Sequence, residues 1–236
     1  MAVNIYKPKV VEFEGDDILY RKASEYIEGV ILDNQSEHGI ARMLLSGGKT
    51  PMPIYKILGN NGAIDWNNLE LFCSDERCVP ATDPNSNQGN IIKSLSNMVI
   101  DNCREVNFFD TSCEIEECVK SYIDKLEALD DVWFDIAVLG LGADGNIASL
   151  FPNNEYLRHH DNSVIATIAP KTESISQRVS LTVESILNSR EILIVLNGDN
   201  KINVLSELLE GHQKATEFPA KFLLSHPKVS IFCCFQ

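Results

Sequence analysis

The sequence lacks any apolar run that approaches the ~18 residues of a transmembrane helix, so we expect no membrane span. Its first stretch, residues 1–17, has no apolar core of the kind found in signal peptides. No low-complexity linker and no internal repeat of about 20–50 residues divides the chain. We therefore predict one domain over residues 1–236, located in the cytoplasm.

Positive charge and paired cysteines are also scarce. The chain has 20 Lys and Arg against 34 Asp and Glu, a formal net charge of −14 that argues against nucleic acid or an anionic membrane as partner. The seven cysteines form no CxxC pair, which is typical of reduced thiols rather than a disulfide framework. Cysteine and histidine do not cluster at zinc-ligand spacing, so we expect no metal. An anionic ligand would need positive charge gathered locally.

Short apolar segments alternate with helix-like segments along most of the chain. Helical spacing of apolar residues is clear over 16–32, and a weakly alternating edge strand is predicted before it, over 9–14. Further strands are predicted over 40–45, 69–73, 105–109, 134–139, 164–169, 178–182, 192–196 and 229–235. The repeated order of strand, turn and helix predicts an α/β fold with a mainly parallel sheet covered on both faces.

The stretch 134–152, FDIAVLGLGADGNIASLFP, is the clearest example of this order of strand, turn and helix. Its apolar start predicts a buried strand, three glycines follow, and residues 146–151 are predicted to form a short helix that ends at Pro152. A strand, a glycine turn and a helix start together direct free N–H groups to one point, which favours an anion. A glycine turn taken alone is equally compatible with a packing role.

A second glycine turn, SGGKTP at 46–51, has the same layout. It follows the predicted strand over 40–45, and we expect Thr50 to be the N-cap and Pro51 the first residue of the next helix. It lacks the glycine spacing of a Walker A motif. The segment therefore predicts a second site for an anion that is not a nucleotide.

Four segments follow predicted strands and precede helices. They are SGGKTP (46–51), SDERC (74–78, expected to be a loop), GADGN (142–146) and NGDNK (197–201). Such junctions lie along one edge of an open α/β sheet, where ligands bind. Positive charge comes from Lys49, Arg77, Arg178 and Lys201, and carboxylates from Asp75 and Asp144. Each cation alone is more often a surface residue, but together these groups suit a phosphate-bearing, hydroxyl-rich small molecule.

The motifs together resemble the 6-phosphogluconolactonase family, in the wider group with glucosamine-6-phosphate deaminases. The resemblance rests on LSGGKTPMPIYKIL (45–58), DERCVPATDPNSN (75–87), GLGADGNIASLFP (140–152), RVSLT (178–182) and NGDNK (197–201). It implies a Rossmann-like three-layer α/β/α sandwich that hydrolyses 6-phosphogluconolactone to 6-phosphogluconate in the pentose phosphate pathway, without metal or redox cofactor. DERCVP and ASLFP look like the lactonase versions; a deaminase remains the alternative.

The resemblance also implies roles for the site residues. The phosphate would be held by the turn that contains Ser46, Gly47, Gly48, Lys49 and Thr50, with counter-charge from Arg178 and Lys201. Arg77 would contact phosphate or the lactone carbonyl, and Asp75 would position hydroxyls or water. The reacting end would be shaped by Gly142, Asp144, Gly145 and Asn146.

Asn146 departs from the family pattern, in which this position is usually a histidine regarded as the general base. A neutral amide does not accept a proton near pH 7, but it can orient a water or hydrogen-bond the lactone oxygen. Two hypotheses follow: a working lactonase with another base, or a sugar-phosphate-binding homologue with reduced or lost catalysis. Asp75, Asp144, His159 and His160 are the alternative bases. The sequence does not indicate an oligomeric state.

Overall fold

A parallel sheet of seven strands forms the centre of the protein, which we describe from a computed structural model for residues 4–129, 133–158 and 162–235. The strands are β1 (Lys9–Glu12), β2 (Ala41–Leu45), β3 (Leu69–Cys73), β4 (Asp75–Arg77), β5 (Glu105–Asn107), β6 (Phe134–Leu139), β7 (Val164–Ile168), β8 (Gln177–Leu181), β9 (Ser189–Asn197) and β10 (Val229–Cys234). The sheet order is β1-β10-β9-β6-β2-β3-β5. The expected edge strand and the mainly parallel sheet are confirmed.

In the described part of the chain, seven α-helices connect and cover the strands. They are α1 (Asp16–His38), α2 (Met52–Gly59), α3 (Asn87–Leu95), α4 (Asn97–Asn102), α5 (Ile115–Glu127), α6 (Val183–Leu187) and α7 (Ile202–Glu210). Every residue of β3 and β10 is buried, so both faces of the sheet are covered, as in a three-layer α/β/α sandwich. Within the described ranges, none of the helices is long and apolar enough to cross a bilayer.

The strand register places the candidate segments side by side. Leu45, the last residue of β2, pairs with Cys73 at the end of β3 and with Val138 near the end of β6. Leu139 of β6 in turn pairs with Ile194 of β9. The segments that follow these strands therefore leave the sheet along one side, here called the carboxyl edge.

A second, antiparallel sheet of order β4-β8-β7 was not predicted. The SDERC segment, expected to be a loop, contributes β4, in which Arg77 pairs with Arg178 and Asp75 with Ser180 of β8. The expectation was wrong because a three-residue strand is defined by a partner about a hundred residues away, which no local pattern shows. Strand alternation puts Asp75 and Arg77 on one face and Glu76 on the other.

Two local expectations about helix starts are also wrong. Residues 146–151 form successive turns rather than a helix, because Ala148 has a left-handed backbone (φ 48°) that interrupts helical hydrogen bonding. The helix after the 46–51 turn is present, but its N-cap is Pro51 and Thr50 supplies no capping hydrogen bond. At the α2 start the N–H groups of Met52 and Ile54 therefore have no side-chain cap, whereas Pro51 and Pro53 have no N–H to donate.

Candidate functional site

A cavity of about 280 Å³ opens at the carboxyl edge. It is lined by the predicted residues Ser46, Gly47, Gly48, Lys49, Thr50, Asp75, Arg77, Gly142, Asn146, Arg178 and Lys201. They come from all four strand-end segments and from the second sheet. The convergence expected from the sequence is therefore present in the structure, while the role of each residue stays a prediction.

Two predicted residues, Asp144 and Gly145, are not brought into this cavity. Asp144 lines a neighbouring cavity of about 350 Å³ with Phe218 and Glu207. Gly145 has φ +81° and lies under the Phe218 ring, and its carbonyl accepts a hydrogen bond from the Ala220 N–H at 2.9 Å. The contacts of these two residues are therefore made with Phe218, Ala220 and the turn itself rather than with the cavity. His159 and His160 lie outside the described residues.

The 46–50 turn forms one end of the cavity. Gly48 needs a left-handed backbone, with φ +94°, and a Cβ on Gly47 would lie 1.8 Å from Asn87 Oδ1, so only glycine fits there. Tyr55 on α2 fixes the turn: its hydroxyl accepts from Ser46 N and donates to Ser46 O, both at 3.1 Å. Ser46 Oγ is buried and has no hydrogen-bond partner among the described residues, which leaves a donor for a ligand.

Glu76 lies behind the cavity wall and fixes the backbone of β4 and the start of α3. Its fully buried carboxylate accepts N–H groups of Arg77, Asn87 and Gln88, each at 2.7 Å, and the Ser86 hydroxyl at 3.0 Å. Burial raises the pKa of Glu76, and the three backbone donors oppose that shift. The carboxylate thus ties the start of α3 to β4, and Arg77 is held further by a bond from Nη1 to Asn85 O at 2.7 Å.

Two cations face the cavity from different elements. Arg178 is 5% exposed, donates from Nε to Ile175 O at 3.0 Å and pairs with Glu173 at 3.3 Å. Burial lowers the pKa of Arg178, and the nearby positive Arg77 lowers it further. The Lys201 ammonium donates to Leu141 O at 2.6 Å, and burial lowers its pKa below that of a free lysine. Partly desolvated cations of this kind attract a phosphate dianion more strongly than exposed ones.

The 140–146 turn forms the opposite wall and bonds mainly to itself. Gly142 N donates to Asn146 O at 2.9 Å, and Asn146 N donates to Asp144 Oδ1 at 3.1 Å. The Asn146 side-chain NH₂ also donates to this carboxylate oxygen. Since a carboxylate oxygen only accepts, the amide NH₂ must face Asp144, and the amide oxygen remains as an acceptor. Asn146 is thus arranged as a hydrogen-bond acceptor without basicity.

The sequence reasoning missed two polar side chains that line the cavity, those of Asn87 and Glu173. Asn87 is 1% exposed and donates from Nδ2 to Asp75 O at 2.8 Å. Asn87 ends the DERCVPATDPNSN segment that carries the resemblance, but no role was assigned to it there; Ser86 Oγ, just before it, caps Gly89 N at 3.0 Å. Glu173 lies in the β7–β8 connection, five residues before Arg178, and a single acidic residue in a polar loop does not indicate a site.

These features define an α/β protein with an anion-attracting cavity at the carboxyl edge of a parallel sheet. The chain belongs to the glucosamine-6-phosphate isomerases/6-phosphogluconolactonase family, whose sequence model matches residues 14–231.

Named relatives agree with this membership. A 6-phosphogluconolactonase from Thermotoga maritima is 35% identical over 190 residues, covering 80% of this chain and 82% of that protein. A probable 6-phosphogluconolactonase from Dictyostelium discoideum is 29% identical over 215 residues, covering 88% and 90%. The crystal structure of a 6-phosphogluconolactonase from Shewanella baltica superposes with a TM-score of 0.87 at 25% identity, over 98% of this chain and 99% of that one.

Proposed function

We propose that this protein hydrolyses 6-phospho-D-glucono-1,5-lactone to 6-phosphogluconate, as a step of the pentose phosphate pathway. The observation that carries the proposal is the gathering of Lys49, Arg77, Arg178 and Lys201 around one small cavity in a chain of net charge −14. That arrangement suits a phosphate-bearing ligand. The names of the relatives specify the lactone as that ligand.

The phosphate would lie against the 46–50 turn. Ser46 Oγ and the two uncapped N–H groups in the first turn of α2 would be the donors, and Arg178 and Lys201 would supply the counter-charge. The sugar hydroxyls would then face Asp75, because a carboxylate accepts from hydroxyls and repels a phosphate. This orientation brings the lactone end towards Arg77 and the turn that holds Asn146.

The reaction adds water to the lactone carbonyl carbon and breaks the bond from that carbon to the ring oxygen. The ring oxygen takes up a proton and becomes a hydroxyl, while the new carboxyl group releases one. Arg77 would stabilise the negative charge that develops on the carbonyl oxygen. The Asn146 amide oxygen would accept a hydrogen bond from the attacking water and orient it without removing its proton.

Asn146 itself favours a second candidate function, a sugar-phosphate-binding homologue with little catalysis. General-base assistance contributes ~10²–10⁴-fold to a rate, and an amide contributes none of it. A lactone is already a reactive ester, so polarisation and water orientation are sufficient for a slower enzyme. We therefore favour activity over binding alone.

A lactone assay tests the proposal directly. The lactone is generated in situ, its loss is followed in a pH-stat or by a coupled dehydrogenase, and the spontaneous rate is subtracted. We expect an enzyme-dependent rate proportional to protein concentration. Tight 6-phosphogluconate binding by calorimetry without such a rate would establish the binding homologue instead, and ammonia release from glucosamine 6-phosphate would establish a deaminase.

Three further attributes belong to the same proposal. We propose a single domain over residues 1–236, a cytoplasmic location and a reaction that needs no metal or redox cofactor. A small sugar phosphate is the proposed partner, and neither nucleic acid nor a membrane is expected. If no metal is needed, the protein should keep its full lactonase rate after exhaustive treatment with EDTA.

A further inference from the structure

The Asp75 carboxylate is held by two serine hydroxyls beneath the cavity. Ser149 Oγ donates to Asp75 Oδ2 at 2.6 Å, and Ser74 Oγ donates to Asp75 Oδ1 at 3.0 Å. Both serines are fully buried, whereas Asp75 itself lines the cavity. Each carboxylate oxygen therefore has one fixed donor on the protein side.

Ser149 reaches this position from a distant part of the chain. It lies 74 residues after Asp75, in the turn between Ile147 and Leu150 that replaces the expected helix. Its own N–H donates to Ser180 Oγ at 3.3 Å, and Ser180 is the cross-strand partner of Asp75 in the second sheet. The hydroxyl of Ser149 is thus fixed by the same strands that carry the carboxylate.

The Asp75 carboxylate keeps acceptor positions for a ligand in the cavity. An ionised carboxylate offers about four acceptor positions and no donor. Two of these are occupied by serine hydroxyls, so those that remain accept from donors in the cavity. The dianion of a phosphate monoester has no donor to give and carries like charge. The hydroxyl groups of a polyhydroxylated ligand are the complementary partners.

We propose that Ser149 is a positioning residue, which fixes the Asp75 carboxylate so that it accepts hydrogen bonds from the ligand's hydroxyl groups. This rests on the proposed sugar-phosphate function. Ser149 does not itself line the cavity, so it acts through Asp75 alone. Without its hydroxyl, a buried charged acceptor loses a donor, and the carboxylate is no longer held in one orientation.

A double-mutant cycle of Ser149 and Asp75 tests the proposal, with 6-phosphogluconate and inorganic phosphate as the two probes in calorimetry. We expect Ser149→Ala to weaken 6-phosphogluconate binding by about 10–100-fold, the range for a hydrogen bond to a charged group. Inorganic phosphate, which has no sugar hydroxyl, should change by less than about twofold. In the Asp75→Ala background, Ser149→Ala should add no further loss, since coupled residues are not additive.

Ser185→Ala is the matched control. Ser185 is 2% exposed and donates to Ser163 O at the same 2.6 Å, but it does not line the cavity. Ser185→Ala should lower the melting temperature as Ser149→Ala does. It should leave the affinities for 6-phosphogluconate and for inorganic phosphate unchanged. Ser149→Thr, which keeps the hydroxyl, should retain most of the 6-phosphogluconate affinity.

Two results would overturn the inference while leaving the proposed function intact. One is an equal loss of affinity for both probes in Ser149→Ala, which indicates general disruption. The other is additivity of the two substitutions, which shows that Ser149 does not act through Asp75. If the wild-type protein binds no 6-phosphogluconate, the proposed function and this inference both fail.

Discussion

The 46–51 turn and the 140–146 turn each follow a buried strand of the parallel sheet, and both contain closely spaced glycines. Only the first leads into a helix. After Gly48 the chain enters α2, whose first N–H groups have no side-chain cap. After Gly145 the chain continues as turns, with Ala148 at φ 48° and Asn153 at φ 61°.

The difference divides the cavity by chemistry. The first turn leaves the Ser46 hydroxyl unpaired and leads into a helix start without a side-chain cap, and both features suit a phosphate. The second turn uses its own donors: Gly145 N bonds to Gly142 O at 3.1 Å, and both Asn146 donors bond to Asp144. It therefore presents side-chain acceptors rather than N–H groups. Similar sequence patterns thus give one anion-binding end and one end suited to water or hydroxyls.

The largest expected effect belongs to the second turn. Asn146→His would place an imidazole at the cavity wall, where the family resemblance implies a general base. We expect the lactonase rate to rise by at most ~10²–10⁴-fold. The gain should appear as pH rises through the imidazole pKa, about 6.5 when unperturbed, because only neutral imidazole accepts a proton.

Asn203→His is the control for this experiment, since Asn203 lines the neighbouring cavity instead. It should leave the rate at the wild-type value. A fast wild type with no gain in Asn146→His would mean that another base exists. Single substitutions of Asp75, Asp144, His159 and His160 would then find it.

The next effect concerns the phosphate end. Arg178→Ala and Lys201→Ala should each weaken 6-phosphogluconate binding by ~1.5–3 kcal/mol, because each removes a charged hydrogen-bond donor. Calorimetry measures the change, and Lys214→Ala, at an exposed lysine that does not line the cavity, should show none. Unchanged affinity in both cavity variants would remove these residues from the site.

The rigidity of the two turns can be compared by replacing one glycine in each with alanine. Gly48 and Gly145 both have positive φ, so alanine is strained at either position. At Gly48 a Cβ meets nothing within 4 Å, whereas at Gly145 it would lie 2.5 Å from the Phe218 ring. Gly145→Ala should therefore lower the free energy of unfolding by about 1–3 kcal/mol more than Gly48→Ala. Urea denaturation measures both.

Phe218→Ala combined with Gly145→Ala should remove most of this extra loss. Equal destabilisation by the two glycine substitutions would show that Phe218 moves aside freely. The 140–146 turn would then be less rigid than its contacts indicate.

The smallest effect is a pH dependence at the phosphate end. Burial lowers the pKa of Lys201 from 10.5, and only the protonated ammonium attracts phosphate. Affinity for 6-phosphogluconate should be constant below the lowered pKa and fall as pH rises through it, earlier than for a free lysine. Calorimetry above pH 7 avoids phosphate protonation. Lys201→Arg should abolish the fall, and an identical fall in that variant would assign it to another group.

The sequence by itself determined the parallel sheet, because buried strands of such a sheet are short apolar runs and the glycines and prolines between them mark the turns. It also determined which turns carry charge, so Lys49, Arg77, Arg178 and Lys201 could be named in advance. The topology of an α/β sheet then required the segments that carry Lys49 and Lys201 to meet at the carboxyl edge, whereas Arg77 and Arg178 reach the cavity from the second sheet.

Only the tertiary structure decided how those turns end and what supports them. The Asp75–Arg77 strand exists because β8 pairs with it, and the helix expected over 146–151 is absent because Ala148, Ser149 and Leu150 are held by turns and by distant partners. Asn87 and Ser149 became visible as neighbours of Asp75 only through contacts 12 and 74 residues apart in sequence. A local pattern encodes backbone propensity; it does not encode which buried polar groups will satisfy one another across the fold.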